Sequence, residues 1–391
     1  MNEIFLYALG AFLVAAFATN LMVPPVTRLA IGLRALDHPG ERKVQTGAVP
    51  RLGGVTIALG LALGGGAAAV SLWGRIGTTI GREELLALVF GTGVVFFIGA
   101  VDDLVGVSAA RKFLFQLVAA FPLVHVGWSF EVLRLPLVGQ VDLGLLSEPV
   151  SLLWIVGVTN AINLIDGLDG LAGGVVTIIA VSFLGYATLQ GNAGTMLLMA
   201  AIAGACVGFL RHNWEPAKIF MGDSGSLMLG FLLAATTLHS SLKAPAAVAI
   251  LVPVLALGVP VMDTLLVMGV RFLDRPKSAL VDRFLRMFHA DRQHLHHLLA
   301  HFGGKRSRIV AVIYAVVVSF CAMALVVAFT GEGSLGLWLV ALEFLIVLGM
   351  RRMGLAMEAR RLSRLQREEV KTEVRALTPE PQVASVRRIV R

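Results

Sequence analysis

The chain is dominated by apolar stretches long enough to cross a lipid bilayer. A helical span needs about 20 mostly apolar residues, and such segments recur with polar loops between them. Backbone polar groups in lipid must be hydrogen-bonded within the protein, which favours helices over open strands. The pattern therefore predicts an all-α, polytopic integral membrane protein. We expect about eleven transmembrane helices, at residues 3–23, 52–73, 84–101, 113–128, 149–165, 171–190, 194–210, 226–242, 246–272, 309–329 and 335–350.

The distribution of positive charge predicts the orientation of these spans. With the N-terminus outside, the inside segments contain all but four of the 33 Lys and Arg residues. Positively charged loops stay on the cytoplasmic side of an inner (plasma) membrane. The formal charge of +8 is therefore expected to be cytoplasmic and suited to phosphate-bearing ligands. We expect no nucleic-acid partner, because the sequence contains no basic module with interleaved aromatic residues.

Acids and amides are concentrated in residues 160–174, NAINLIDGLDGLAGG, directly after an apolar run. Acids at a membrane margin are costly and usually functional. Asn163, Asp166 and Asp169 offer oxygen ligands for a divalent cation and a polar substrate. Helix capping and turn formation are the alternative explanation for this cluster. The neighbouring pair Asp102-Asp103 also needs a cation, a hydrogen-bonding shell or a raised pKa, because adjacent carboxylates repel.

Three further polar clusters fall on the same predicted side. Residues 37–54, DHPGERKVQTGAVPRLGG, form either a phosphate-facing loop or a positive anchor. Residues 220–230, FMGDSGSLMLG, place an acid at a helix start, where it is either functional or an N-cap. Residues 290–299, ADRQHLHHLL, carry three histidines without a zinc signature, on what is either a ligand-binding or a solvated helix. Carboxylates in some clusters and cations in others together indicate phosphoryl transfer, with Mg²⁺ held by oxygen ligands.

The five motifs, in this order, resemble those of the polyprenyl-phosphate N-acetylhexosamine-1-phosphate transferases, the glycosyltransferase family 4 type. The resemblance extends from about residue 37 to residue 299 and includes the arrangement of about eleven spans. It implies transfer of a sugar 1-phosphate from a UDP-sugar to polyprenyl (undecaprenyl) phosphate, with release of UMP. The product would be the first lipid-linked sugar of a cell-envelope polysaccharide, made in a cytoplasmic cleft.

The resemblance also implies roles for individual residues. Asn163 and Asp223 would bind Mg²⁺, with Mn²⁺ as an alternative ion. Asp102 and Asp103 would be the catalytic acids at the acceptor phosphate, without a covalent enzyme intermediate. The substrate-binding residues implied by the resemblance are Arg51, Lys112, Asp166, Asp169, Asn213, His294, His296 and His297.

Two departures from the family pattern bear on the substrate. Gln45 stands where a histidine is common, and the run 271–293 is longer and more irregular than expected. The H-x-H-H form favours the GlcNAc-1-phosphate branch, with phospho-MurNAc-pentapeptide transferase as the alternative. A transporter and a non-catalytic scaffold are the alternatives from other classes. The expected partners are a UDP-N-acetylhexosamine, polyprenyl phosphate and the bilayer, and a homodimer is left open.

The basic C-terminal segment predicts a division of the chain into two parts. We predict a transmembrane transferase domain over residues 1–350 and a basic cytoplasmic tail over 351–391. Residues 352–376 have the pattern of an amphipathic helix lying on anionic lipid. Residues 129–148 alternate in polarity and are expected to form either a short hairpin or a surface helix.

Overall fold

The computed structural model describes residues 2–37, 47–71, 80–135, 139–242, 250–273, 294–299 and 306–377. Helices dominate these residues, as predicted. In chain order they are α1 Asn2–Gly32, α2 Gly53–Ser71, α3 Arg82–Val105, α4 Ala109–His125, α5 Ser147–Ile165, α6 Leu171–Gln190, α7 Ala193–Asn213, α8 Gly222–Leu242, α9 Leu251–Ala256, α10 Gly258–Leu273, α11 Leu295–Leu299, α12 Arg306–Thr330 and α13 Gly333–Leu377. The prediction of an all-α, polytopic membrane protein is confirmed.

Among the described residues, eight helices are long and apolar enough to cross a membrane. They correspond to α1, α2, α3, α5, α6, α7, α12 and α13. The predicted span 113–128 corresponds to α4, which has 17 residues, and 226–242 corresponds to the more polar α8. The total of eleven stays a prediction.

The predicted span 246–272 is divided between two helices in its described part, 250–272. Two helices, α9 and α10, occupy this region and are separated at Leu257. Pro260 lies in the first turn of α10 and has no backbone N–H, so a continuous helix would leave the carbonyl of Ala256 without its partner.

Small residues bring the central helices close together. A Cβ atom at Gly204 or Gly208 of α7 would lie 2.1 Å or 2.3 Å from a backbone oxygen of α1. Such backbone approach is typical of helix pairs in membranes, where lipid offers no hydrophobic drive for association. Helix α8 is surrounded by α2, α3 and α5. Its N-terminus is therefore the point where several elements meet.

Two hairpins and one long helix complete the fold. Strands β1 Leu36–Asp37 and β2 Val49–Pro50 pair antiparallel, as do β3 Val132–Leu135 and β4 Gly139–Asp142. The pairing of β3 with β4 shows that residues 129–148 contain a hairpin, which is one of the two predicted alternatives. Helix α13 has 45 residues and is about 68 Å long, so one helix continues through residue 350 into the basic tail.

Candidate active site

The N-terminus of α8 is held by a buried carboxylate from α3. Oδ1 of Asp103 accepts the backbone N–H of Asp223 at 2.8 Å, and Oδ2 accepts the N–H and the hydroxyl of Ser224 at 3.1 and 2.7 Å. Only 4% of Asp103 is exposed. A negative charge suits the positive end of a helix, where N–H groups lack partners within the helix. Asp103 therefore orients Asp223, whereas the sequence predicts a direct catalytic contact for it.

Glycine at position 222 permits this arrangement. Its φ angle is +72°, and a Cβ atom would lie 2.2 Å from the carbonyl oxygen of Arg51 and 2.5 Å from Oδ2 of Asp103. Both the left-handed backbone and the close contact exclude a larger residue. The FMGDSGS motif thus folds into a helix start that places Asp223 at the site.

Asp102 and Lys112 form the exposed side of the same site. Oδ1 of Asp102 accepts the N–H of Val107 at 2.7 Å and lies 3.5 Å from Nζ of Lys112. Nζ of Lys112 also donates to Oδ2 of Asp223 at 2.7 Å. Burial lowers the pKa of Lys112, but the neighbouring Asp223 and Asp102 outweigh it and raise that pKa above its usual value. Lys112 is consequently a fixed positive charge between two carboxylates.

Asn163 approaches Asp223 from the last turn of α5. Its Nδ2 atom donates to Oδ1 of Asp223 at 3.2 Å and to the hydroxyl of Ser226 at 2.8 Å. Residues 102, 112, 163 and 223 are far apart in sequence, and four different helices carry them. The structure brings these four predicted residues into one constellation. Ser226 is a member that the sequence analysis does not single out.

The loop between α5 and α6 adds two carboxyl groups, Asp166 and Asp169. Burial, together with the charges of Asp223, Asp103 and Asp169, raises the pKa of the half-buried Asp166 carboxyl to about 8, while Arg51 acts in the opposite direction. Asp166 is therefore mostly protonated near neutral pH in the metal-free protein, and a cation bound nearby would favour its ionised form.

Asn213 and Asp169, which the sequence analysis predicts to bind substrate, hold two segments of the chain together in this structure. Oδ1 of Asn213 accepts the N–H of Gly170, and its Nδ2 donates to the carbonyl of Ile219. Only 3% of Asn213 is exposed, so its amide joins the loop 166–170 to the segment after α7 and is not placed to meet a substrate. Oδ2 of Asp169 accepts the N–H of Ala217 at 3.0 Å and braces the same two segments.

Tyr314 of α12 supports this loop from the opposite side. Its hydroxyl donates to the carbonyl of Gly170 at 2.5 Å, and it occupies the space where Gly174 has no side chain. The sequence analysis missed Tyr314, because a single tyrosine in an apolar span gives no signal without its distant partner.

The PRLGG part of the first motif is paired with the chain before α8. Phe220 N donates to Pro50 O at 2.8 Å, and Gly53 N donates to Phe220 O at 2.9 Å. This pairing brings Arg51 to the acidic loop, where its charge acts on Asp166. The guanidinium also lies 3.9 Å from Asp37. Of the two readings of the motif, the structure supports a positive charge facing the site.

Of the three predicted histidines, the structure describes the side chain of His294 only. His294 immediately precedes α11 and is 4% exposed, with Nδ1 3.0 Å from Oδ2 of Asp263 in α10. His296 and His297 belong to α11, but their side chains lie outside the described residues. The sequence analysis missed Asp263. An acid inside the apolar run 246–272 was the available signal, because such acids are costly in a membrane.

The oxygen-rich donor set fits a magnesium ion. Asp223 and Asn163 offer a carboxylate and an amide oxygen, which are hard ligands of the kind that Mg²⁺ prefers. Turning the Asn163 amide presents Oδ1 where Nδ2 now donates. Within the described ranges, no three acidic, His or Cys side chains come together as a ready-made metal site.

Comparisons with known proteins agree with this geometry. Residues 85–241 match the family described as Glycosyl transferase family 4. A probable undecaprenyl-phosphate N-acetylglucosaminyl 1-phosphate transferase of Bacillus subtilis is 35% identical over 329 residues, covering 83% of this chain and 86% of that protein. A decaprenyl-phosphate N-acetylglucosaminephosphotransferase of Mycobacterium tuberculosis is 35% identical over 337 residues, covering 80% of each.

Related muramoyl enzymes are less well matched. A phospho-N-acetylmuramoyl-pentapeptide-transferase of Clostridioides difficile is 30% identical over 244 residues, which is 59% of this chain and 73% of that protein. One of Clostridium perfringens is 30% identical over 328 residues, covering 80% of this chain and 93% of that protein. The N-acetylglucosamine relatives combine a similar coverage with 35% identity, which favours that branch. The chain belongs to the polyprenyl-phosphate N-acetylhexosamine-1-phosphate transferases of glycosyl transferase family 4.

Proposed function

We propose that this protein transfers GlcNAc 1-phosphate from UDP-GlcNAc to a polyprenyl phosphate such as undecaprenyl phosphate, in a Mg²⁺-dependent reaction that releases UMP. The observation that carries the proposal is the constellation of Asp102, Lys112, Asn163 and Asp223 at one end of the helix bundle. The names of the relatives at 35% identity support the polyprenyl phosphate acceptor and the N-acetylglucosamine group.

The reaction is a direct displacement at the sugar-bearing phosphorus. An oxygen of the lipid phosphate forms a bond to that phosphorus, and the bond to the bridging oxygen breaks. The bridging oxygen leaves with its electron pair as part of UMP. A phosphate monoester is largely ionised at pH 7, since its second pKa is about 6, so the acceptor needs little or no deprotonation. The enzyme therefore acts mainly by positioning and by neutralising charge.

The residues divide this work among them. Asp223 and Asn163 would hold Mg²⁺, which supplies charge neutralisation at the diphosphate. Lys112 is charged and lies next to Asp223, so it can donate to a phosphate oxygen. Asp102 is the partly exposed acid of the pair and orients the acceptor. Asp103 supports Asp223 and makes no contact with substrate.

The charge distribution supports a location on the cytoplasmic side of the plasma (inner) membrane. All but four of the 33 Lys and Arg residues lie on the same predicted side of the membrane as the site motifs, and positively charged segments stay on the cytoplasmic side. A UDP-sugar is also a cytoplasmic type of donor, because its charged diphosphate does not cross a bilayer unaided. The lipid acceptor would reach the constellation from the adjoining leaflet.

Release of UMP by the purified protein tests the proposal. The assay contains undecaprenyl phosphate and either Mg²⁺ or EDTA, with UDP-GlcNAc, UDP-GalNAc or UDP-MurNAc-pentapeptide as donor. We expect UMP from UDP-GlcNAc with Mg²⁺ only, and a loss of more than about a hundredfold in Asp223→Asn. Asp142→Asn, in the β3–β4 hairpin, is the matched control and should retain activity. Full activity in EDTA would refute the metal role, and turnover of the muramoyl donor alone would refute the proposed sugar.

A further inference from the structure

Three buried charged or ionisable side chains meet where α10, α11 and α13 converge. They are Asp263, His294 and Arg351, of which 2%, 4% and 3% are exposed. Charged groups are rarely buried unless they are paired. This group is separate from the four-residue constellation, and its acid and its arginine have no place in the proposed reaction so far.

Asp263 holds both the ring and the backbone at the start of α11. Its Oδ2 lies 3.0 Å from Nδ1 of His294, and its Oδ1 accepts the N–H of Leu295 at 3.0 Å. Nη1 of Arg351 lies 3.9 Å from the same Oδ1. A carboxylate at Nδ1 fixes the ring plane and makes Nδ1 the protonated nitrogen, which leaves Nε2 to act elsewhere. The same carboxylate thus sets the histidine's tautomer and the course of the chain behind it.

The start of α11 lies close to loop 166–170, which we call the donor loop. Leu295 and Asp263 line a small apolar cavity together with Ile165 and Leu171, which are the residues on either side of that loop. Only this cavity separates the start of α11 from the two ends of the loop that carries Asp166. Helix α13 supports α11 from behind, since a Cβ atom at Gly354 would lie only 2.7 Å from Cβ of Leu298.

We propose that Asp263, backed by Arg351, is a positioning residue that holds His294 beside the ends of the donor loop in the orientation needed for phosphate binding. This inference rests on the proposed function, because it takes the histidine segment 294–297 to act on the donor diphosphate. It assigns Asp263 of α10 and Arg351 of α13 to the support of the active site.

A double-mutant cycle on kcat/KM for UMP release tests the proposal. The variants are Asp263→Asn, His294→Gln and the combination, each compared with Thr264→Val as a neighbouring control on α10. We expect Asp263→Asn to lower kcat/KM by about tenfold to a hundredfold, the range for a lost charge-assisted hydrogen bond. In the His294→Gln background the same change should cost less than about threefold, because residues that act as a unit are not additive. A merely structural acid would cost the same factor in both backgrounds.

The folding of these variants is controlled separately. Asp263→Asn removes the carboxylate that lies 3.9 Å from Nη1 of Arg351, and losing one member of a buried charge pair is strongly destabilising. If that variant does not fold, Asp263→Asn with Arg351→Met removes both charges, and the cycle is repeated in that background. Equal losses with and without His294, or a wild-type kcat/KM in His294→Gln, would overturn the positioning role. A wild-type protein that releases no UMP would instead refute the proposed function.

Discussion

Replacing Asp103 tests whether this acid supports the structure of the site or takes part in the reaction. The side chain accepts two backbone N–H groups and one hydroxyl at the start of α8. Asp103→Ala leaves the two N–H groups buried without an acceptor, at about 1–3 kcal/mol each. We therefore expect a loss of about 2–6 kcal/mol in stability, together with low activity, because Asp223 is no longer oriented. Asp103→Asn keeps one acceptor oxygen and should lie between Ala and wild type in both properties.

The neighbouring Asp102 provides the comparison. Asp102→Asn removes an acid whose only described acceptor contacts are Val107 N and Lys112, so its fold should tolerate the change. The measurements are the thermal midpoint in a fixed detergent and the rate of UMP release from UDP-GlcNAc. We expect Asp102→Asn to lose activity at an unchanged midpoint, and Asp103→Asn to lose both. If Asp103→Asn kept its midpoint while losing as much activity as Asp102→Asn, the supporting role would be wrong.

Three further predictions concern the surroundings of Asp223. Gly222→Ala, at a φ of +72°, should abolish UMP release and lower the thermal midpoint, whereas Gly349→Ala, which has open space, should change neither. Tyr314→Phe removes the hydroxyl that binds the Gly170 carbonyl, and should raise KM for the donor about fivefold with kcat nearly unchanged. Folding raises the pKa of Asp166 from 3.8 to about 8. Between these two pH values Asp166 is protonated in the folded protein and ionised in the unfolded one. The stability of the metal-free protein should therefore fall as the pH rises from 5 to 8. Asp166→Asn should flatten this slope in thermal melts, and an unchanged slope would contradict the assignment.

Sequence patterns predicted the helical membrane fold because the length of an apolar run is set by the bilayer itself. They also predicted that Asp102, Asn163 and Asp223 lie at the same side of the membrane, since each of their motifs stands at the end of a span. They did not distinguish Asp102 from Asp103, which are neighbours in sequence. Adjacent helical residues point about 100° apart, so one faces α8 and the other faces the cleft, and only packing determines which.

Supporting contacts between residues that are far apart in the sequence were not predicted either. Asp263 lies 31 residues before His294, and Tyr314 lies 144 residues after Gly170. Each contact depends on how α10 and α12 pack against the loops, which no local pattern encodes. The break between α9 and α10 could have been anticipated from Pro260, because proline cannot donate the hydrogen bond that a continuous helix requires.

Lys112 reduces the repulsion between the carboxylates of Asp102 and Asp223 when no ligand is bound. Lys112 donates to Asp223 at 2.7 Å and stands 3.5 Å from Asp102, so it partly neutralises both carboxylates. If Mg²⁺ bound at Asp223 as proposed, Lys112 would be available to donate to a phosphate oxygen of the substrate. One charge-assisted hydrogen bond would then replace another, at little cost in free energy. Because the two carboxylates raise the pKa of Lys112, the side chain enters this exchange protonated.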